Sequence, residues 1–123
     1  MKTIIERVIH WNSERYDQEF DHRLTRNLLR EETLEFEAAV KEVDRLDALV
    51  DTIYVAIGAM WKLGLNDKQI QAAILAVCDA NDTKLAVKTD SNIKANIDKG
   101  AGFVAPEARL QEVLNERLYQ KRQ

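Results

Sequence analysis

The chain has 123 residues, of which 46% are hydrophobic and 32% are charged, and its formal net charge is -3. This length predicts one domain over residues 1–123, with a core that buries roughly two thirds of the unfolded surface. Lysine and arginine are scattered, so we expect neither a nucleic acid nor an acidic membrane surface as a partner. The N-terminus alternates apolar and charged residues, and no apolar run approaches the roughly 20 residues of a membrane span. We therefore expect a cytoplasmic protein.

The composition favours helix over sheet. Four glycines and one proline leave little turn chemistry for a sheet, and Ala, Leu, Glu and Lys are good helix formers. The sequence predicts an all-α fold, a bundle of four main helices plus a short C-terminal helix.

Hydrophobic spacing places the first three helices. The first is predicted from about Thr3 to the mid-teens, and the second from Asp21 or His22 towards Val43. The third is predicted over residues 44–63 and ends before Gly64, the usual position for a C-terminal glycine. It carries no charge between residues 52 and 61, which indicates a central helix covered on most faces.

The second half of the chain is less regular. A fourth helix is predicted from Asn66 or Asp67 to about Lys88, with a buried face formed by Ile70, Ile74 and Val77. Cys78, the single cysteine, falls in the same apolar pattern, which favours a buried and inert thiol. Residues 89–106 have weak periodicity and turn formers, which indicates an irregular segment. A last helix is predicted to begin at Pro106, with an apolar face of Leu110, Val113, Leu114 and Leu118.

Acidic residues lie within the apolar stripes of the second and third helices. At about 100° per residue, Glu32 and Glu35 in "EETLEFEAAV" share an arc with Leu28, Leu29, Phe36 and Ala39. On the third helix, Asp47 and Asp51 share an arc with Tyr54, Val55 and Gly58. A hairpin turning near Val43 would let Glu35 and Asp51 face one another.

Such a group of carboxylates predicts a cation site. Ionised carboxylates in a low-dielectric groove are costly unless they are protonated or neutralised. Mg²⁺ prefers carboxylate oxygens, retains waters and commonly bridges to substrate phosphates, which indicates phosphate-ester or anhydride chemistry. The alternative is that these acids line a solvated groove or pair with Arg and Lys.

Two further groups are candidates for substrate contacts. Asn81, Lys84 and Lys88 continue the inward face of the fourth helix and could hold phosphate, although lysines there also suit the helix dipole and solvent. Gly58 allows either a ligand or a neighbouring helix to approach closely. Five residues could form a base pocket, although each could equally be a packed residue or an exposed polar one: Trp11, Asn12, Arg15, Tyr16 and Phe20.

The segments "LLREETLEF", "DALVDTIYVAIGAMWKLGL" and "ANDTK" occur in that order. Together they resemble the all-α NTP pyrophosphohydrolases, the MazG-like and phosphoribosyl-ATP pyrophosphohydrolase-like proteins. The resemblance covers about residues 24 to 107. It implies cleavage of a nucleoside triphosphate, or a related nucleotide, between the α and β phosphates with Mg²⁺ or alternatively Mn²⁺. It also implies a homodimer or homotetramer.

The resemblance assigns roles by position. It implies that Glu32, Glu35 and Asp51 bind metal, and that Glu31 is an accessory ligand or orients water. Asn81 and Lys84 match an NxxK motif, which implies contacts to the nucleotide; Lys88 follows them on the same helix. The metal motif of the family has glutamate where this chain has Ala48, and Asp47 is the predicted substitute.

Two other functions are alternatives to this one. A non-catalytic helical oligomer that acts as a binding module would use these acids only structurally. A carboxylate-bridged di-iron bundle requires two Glu-x-x-His motifs, and the chain has one such spacing, from Glu19 to His22.

Overall fold

The computed structural model describes residues 1–84 and 102–122, and within these residues the chain forms five α-helices and no β-strand. The helices are α1 (Ile4–Ser13), α2 (His22–Ala38), α3 (Glu42–Lys62), α4 (Asp67–Asp82) and α5 (Glu107–Arg122). The all-α prediction is confirmed. The chain divides into two compact units, Met1–Ile70 and Gln71–Gln123.

Local caps explain where the first, second and fourth helices begin. The Thr3 hydroxyl accepts from the Glu6 amide at 3.1 Å, and the Glu6 carboxylate accepts from the Thr3 amide at 3.2 Å. Asp21 accepts from the Leu24 amide at 3.0 Å. Asn66 and Gln69 form the same reciprocal pair at 2.9 and 3.0 Å. Each side chain satisfies an amide that has no partner in the first turn of its helix, and the predicted starts are confirmed.

The turn between α2 and α3 comes earlier than predicted. Ala39 is extended, with φ -70° and ψ 128°, so α2 ends about five residues before Val43. The Arg45 side chain donates to the Ala39 carbonyl at 3.2 Å, which satisfies one of the carbonyls left free at that end. Glu42 and Asp44 lie in the first turn of α3, where acidic residues favour a helix start.

The end of α3 is a Schellman motif around Gly64. Gly64 has φ 101°, its amide donates to the Trp61 carbonyl at 2.9 Å, and the Leu65 amide donates to the Met60 carbonyl at 3.4 Å. A positive φ favours glycine at this position. The predicted helix end is confirmed.

In the first unit, α1 and α2 both pack against α3. The buried residues of α3 include Ala48, Ile57, Gly58 and Trp61. Along the same helix a stripe stays at least half exposed, formed by Leu46 (62%), Leu49 (50%), Val50 (50%) and Ile53 (58%). The expectation that α3 is covered on most faces is wrong for this stripe, which we call the exposed α3 stripe.

In the second unit, α4 ends at Asp82, and Lys88 lies outside the described residues, as does most of the predicted irregular segment. Of the predicted buried face, Ile70 at the end of the first unit is 0% exposed, whereas Ile74 and Val77 are 42% and 43% exposed; Ala76 and Ala80 are buried instead.

The cysteine of α4 is also placed differently from the prediction. Cys78 is exposed, so the predicted buried thiol is wrong, and the predicted apolar face is confirmed only at Ile70. The reason is helical phase, because Cys78 is about 200° around the helix from Ala76. On α5, Val113 is buried as predicted, and the side chain of Leu118 lies outside the described residues.

No single helix in residues 1–84 and 102–122 is long and apolar enough to cross a membrane. By length and composition α3 and α4 together pass the same test, but the pair is bent by 119°.

Candidate functional site

Three carboxylates from α2 and α3 meet in the first unit. Glu32, Glu35 and Asp51 each place an oxygen within 4.8 Å of the other two. Glu32 and Glu35 are one turn apart on α2, and helical side chains lean towards the N-terminus of their own helix. In a hairpin this moves the Glu35 carboxylate away from the turn and the Asp51 carboxylate towards it. The two therefore meet even though the turn lies earlier than predicted.

Glu32 is the most strongly perturbed member of this acidic cluster. Burial, a hydrogen bond with Glu35, and the charges of Glu35, Asp51 and Glu31 raise the pKa of Glu32 from 4.5 to about 7. Its Oε2 atom is buried and has no hydrogen-bond partner among the described residues. A buried acceptor without a partner is costly. A cation at this position would relieve both the missing contact and the repulsion between carboxylates.

The raised pKa of Glu32 predicts that the metal-free protein loses stability as the pH rises. Between pH 4.5 and about 7, the folded state retains a proton that the unfolded chain releases, so the free energy of unfolding falls with pH through this group. The stability that protonated Glu32 contributes is fully present below pH 4.5 and is lost above about pH 7. Thermal melts in EDTA at about pH 5.5 and about pH 8 measure the effect, and Glu32→Gln should reduce the difference. A Glu32→Gln melt with unchanged pH dependence would contradict this assignment.

Other predicted acids stand outside the cluster. Glu31 is exposed, and its charge adds to the raised pKa of Glu32. Asp47 is exposed and is not one of the three clustered carboxylates. Ala48 is only 2% exposed, so a glutamate there would require the surrounding packing to open. The role of Asp47 as a ligand stays a prediction.

A pocket of about 410 Å³ adjoins the acidic cluster, a volume within the range of small-molecule sites. Glu32 and Asp51 belong to both the cluster and the pocket. Trp11 and Tyr54 form part of the wall, with ring centroids 5.6 Å apart in an edge-to-face arrangement. The other lining residues are Asn12, Tyr16, Thr25, Leu28, Val55, Gly58, Ala59 and Lys62.

Gly58 allows Asn12 to lie against α3. A Cβ atom at residue 58 would come within 2.8 Å of Asn12 Oδ1 and 2.9 Å of Nδ2, so any larger residue would displace the Asn12 side chain. Asn12 is 5% exposed, and its Nδ2 donates to the Val8 carbonyl at 2.8 Å. The expected close approach at Gly58 is confirmed, and the approaching group is the Asn12 side chain.

Lys62 lines the pocket and was not among the site residues predicted from the sequence. It is 7% exposed, and its Nζ lies 4.0 Å from the centroid of the Tyr16 ring. The signal was present, because a residue eleven positions after Asp51 returns to nearly the same face of α3. Lysine also suits the helix dipole in the last turn of any helix, so the position of Lys62 did not by itself indicate a binding site.

Of the five residues considered for a base pocket, Trp11, Asn12 and Tyr16 line it. Arg15 is not a lining residue, and its guanidinium carbon lies 4.3 Å from the Trp11 ring centroid. Phe20 is not among the lining residues. The structure therefore brings three of the five candidates together.

The predicted phosphate contacts belong to the second unit. Asn81 is exposed, and Lys84 is half-buried with its Nζ 5.8 Å from the Phe103 ring centroid. Lys88 is outside the described residues. Contacts between these residues and a nucleotide stay predictions.

A family model described as phosphoribosyl-ATP pyrophosphohydrolase matches residues 1–76. This range includes the acidic cluster and every residue that lines the pocket, and it stops before Asn81 and Lys84. No curated protein and no solved structure matches the chain significantly.

Proposed function

We propose that this chain, which belongs to the phosphoribosyl-ATP pyrophosphohydrolase family, uses Mg²⁺ to cleave a nucleoside triphosphate or related nucleotide to the monophosphate and pyrophosphate. Membership makes the chain a nucleotide pyrophosphohydrolase, an enzyme that hydrolyses a phosphoric anhydride. The observation that carries the finer proposal is the cluster of Glu32, Glu35 and Asp51, in which Glu32 Oε2 lacks a partner among the described residues.

These three carboxylates suit a hard divalent cation. They offer only oxygen ligands, as Mg²⁺ and Mn²⁺ prefer. Burial first, and then the hydrogen bond with Glu35 and the neighbouring charges, raise the pKa of Glu32, and a cation would offset the cost of ionising this carboxyl group. When bound, Mg²⁺ would lower the pKa of a bound water and neutralise phosphate charge. Asp47, on the same helix as Asp51, is the candidate for a further ligand.

The remaining roles follow from exposure and position. Glu31 is exposed beside Glu32 and can accept a proton from the attacking water. The oxygen of that water bonds to the α phosphorus, the bond from that phosphorus to the bridging oxygen breaks, and pyrophosphate leaves. Glu32 and Glu35 would hold the cation, and through it the attacking water and the phosphates. The aromatic wall of the pocket holds the rest of the nucleotide. No observation favours a purely structural role for these acids in a non-catalytic binding module.

The proposed activity is tested by product analysis. The purified chain is incubated with the common ribo- and deoxyribonucleoside triphosphates, with Mg²⁺, with Mn²⁺ and with EDTA. Monophosphate and pyrophosphate are expected only with a divalent cation. Diphosphate and orthophosphate would overturn the assigned bond, and turnover in EDTA would overturn the metal requirement.

Asn81 and Lys84 are proposed to contact the phosphates of the substrate. Lys84→Ala is expected to raise KM about tenfold or more, since a hydrogen bond to a charged group contributes about 1.5–3 kcal/mol, and to leave the Mg²⁺-induced rise in Tm intact. Lys68→Ala, which alters an exposed lysine in the first turn of α4, is the matched control. An unchanged KM for Lys84→Ala would contradict the phosphate contact and favour the alternative, in which this lysine serves only solvation and the helix dipole.

We also propose that the chain forms a homodimer or homotetramer through the exposed α3 stripe. Its four aliphatic residues recur at helical spacing and are all at least half exposed. A continuous apolar stripe of this kind marks an interaction surface, and a second copy of the same stripe is a complementary partner across a two-fold axis.

The oligomer proposal predicts that a charge in the stripe dissociates the protein. Ile53→Glu should shift the sedimentation coefficient to that of the monomer, because it would bury an unpaired charge at the interface. Asn27→Glu, which adds a charge at an exposed polar position of α2, should leave the assembly unchanged. A monomeric wild-type chain would contradict the proposal.

A further inference from the structure

We propose that Lys62 and Asn12 read the base of the nucleotide and favour bases with a carbonyl beside an N–H group. Guanine, uracil and thymine have this edge, whereas adenine and cytosine have an amino group beside an unprotonated ring nitrogen. The inference rests on the proposed function, because it assigns the selectivity of that same site.

Lys62 supplies a buried donor to the pocket. Lys62 is more than nine-tenths buried, and its ammonium nitrogen lies 4.0 Å from the centroid of the Tyr16 ring. An ammonium group has three donors and no acceptor, so the ring leaves hydrogen bonds to be made. A buried charged group with unused donors favours an acceptor on the ligand.

Asn12 supplies a buried acceptor to the same pocket. The Val8 carbonyl can only accept, so the Asn12 atom 2.8 Å from it is the amide nitrogen. This contact sets the orientation of the amide and leaves Oδ1 to accept from a ligand. Because the amide lies against Gly58, and Lys62 follows Gly58 by one helical turn, the acceptor and the donor occupy neighbouring positions along the pocket.

The base belongs at this end of the pocket. Asp51 and Lys62 are eleven residues apart on α3, which is about 16 Å along the helix. The acidic cluster lies at the Asp51 end, where the triphosphate is expected. The base is the part of a nucleotide farthest from its phosphates, so it reaches towards Gly58 and Lys62. Trp11 and Tyr54 provide apolar wall between the two ends.

Because the sugar points towards the acidic cluster, the exocyclic group of the base lies nearer Lys62 and the adjacent ring nitrogen lies nearer Asn12, and in this order the donor and the acceptor discriminate by hydrogen-bond pattern. A keto base accepts from Lys62 through its carbonyl and donates to Asn12 Oδ1 through the adjacent N–H. Adenine and cytosine would place an amino group against the ammonium or a lone pair against Oδ1. A buried polar group left unpaired by the wrong ligand produces strong selectivity.

The test compares matched bases in the wild-type chain and in Lys62→Met, with Mg²⁺ present. In the wild type, kcat/KM should be at least about tenfold higher for GTP than for ATP, and for UTP than for CTP. ITP, which retains the carbonyl and the N–H, should behave like GTP. Lys62→Met should bring both ratios close to one, and Lys68→Met should leave them unchanged.

Equal rates for all bases, or a Lys62→Met variant that slows every substrate by the same factor, would overturn the selectivity while leaving the proposed hydrolysis standing. If no triphosphate is cleaved, the proposed function fails, and calorimetry with GMP and AMP decides the base preference separately. Tighter binding of GMP by about tenfold would support the assignment, and equal binding would overturn it.

Discussion

Glu32→Gln is expected to make the metal-free protein more stable and catalytically inactive. At about pH 8 the wild-type carboxylate is ionised, partly buried and crowded by Glu35 and Asp51. Replacing it with a neutral amide removes that repulsion, so Tm in EDTA should rise. At about pH 5.5 the carboxyl group is already protonated, so the two proteins should melt at similar temperatures.

The same substitution should remove both the response to Mg²⁺ and the activity. A ligand that binds only the folded state raises Tm by mass action, and an amide is a poor ligand for Mg²⁺. Loss of groups that merely support a metal ligand costs about 10–100-fold, so loss of the ligand itself should lower pyrophosphate release by about a hundredfold or more. Glu37→Gln, at an exposed position of the same helix, is the control. A Glu32→Gln protein with a normal Mg²⁺ response would remove Glu32 from the metal site.

Asp51→Asn and Asp47→Asn are expected to differ sharply in their effect on kcat/KM, although both remove one charge from the same face of α3. Asp51 is half-buried and belongs to the acidic cluster, so its loss should lower kcat/KM by about a hundredfold or more. Asp47 is exposed and outside the cluster. We expect Asp47→Asn to cost no more than about tenfold, the lower limit for a group that only supports a metal ligand.

This pair of variants also tests the departure from the family motif at residue 48. Measurements of kcat/KM and of the Mg²⁺-induced change in Tm separate loss of metal binding from loss of fold. Equal losses from Asp47→Asn and Asp51→Asn would make Asp47 a fourth ligand, the role that its motif position implies. Ala48→Glu is not a useful rescue variant, because residue 48 is buried and a carboxylate there would be costly.

Several features of this protein were determined locally by its sequence. The starts of α1, α2 and α4 depend on side chains that bond amides three residues away, and the end of α3 depends on the positive φ of Gly64. Such signals lie within one turn of the chain and can be read without knowing the fold. The acidic cluster was also predictable, because carboxylates in two apolar stripes require a common neutralising environment.

Tertiary packing decided the rest. No glycine or proline marks the turn after Ala38, so its position depends on how α2 and α3 pack. The predicted buried face of α4 is confirmed at Ile70 and wrong at Ile74 and Val77, because the spacing of apolar residues does not by itself state which side of the helix is covered. Ala76 and Ala80 are buried and Cys78 is exposed. The burial of Lys62 beneath Tyr16 and the contact of Asn12 with Gly58 join residues more than 40 positions apart. Contacts at that separation depend on how α1 and the residues just after it lie against α3, and helical periodicity within one segment does not predict them.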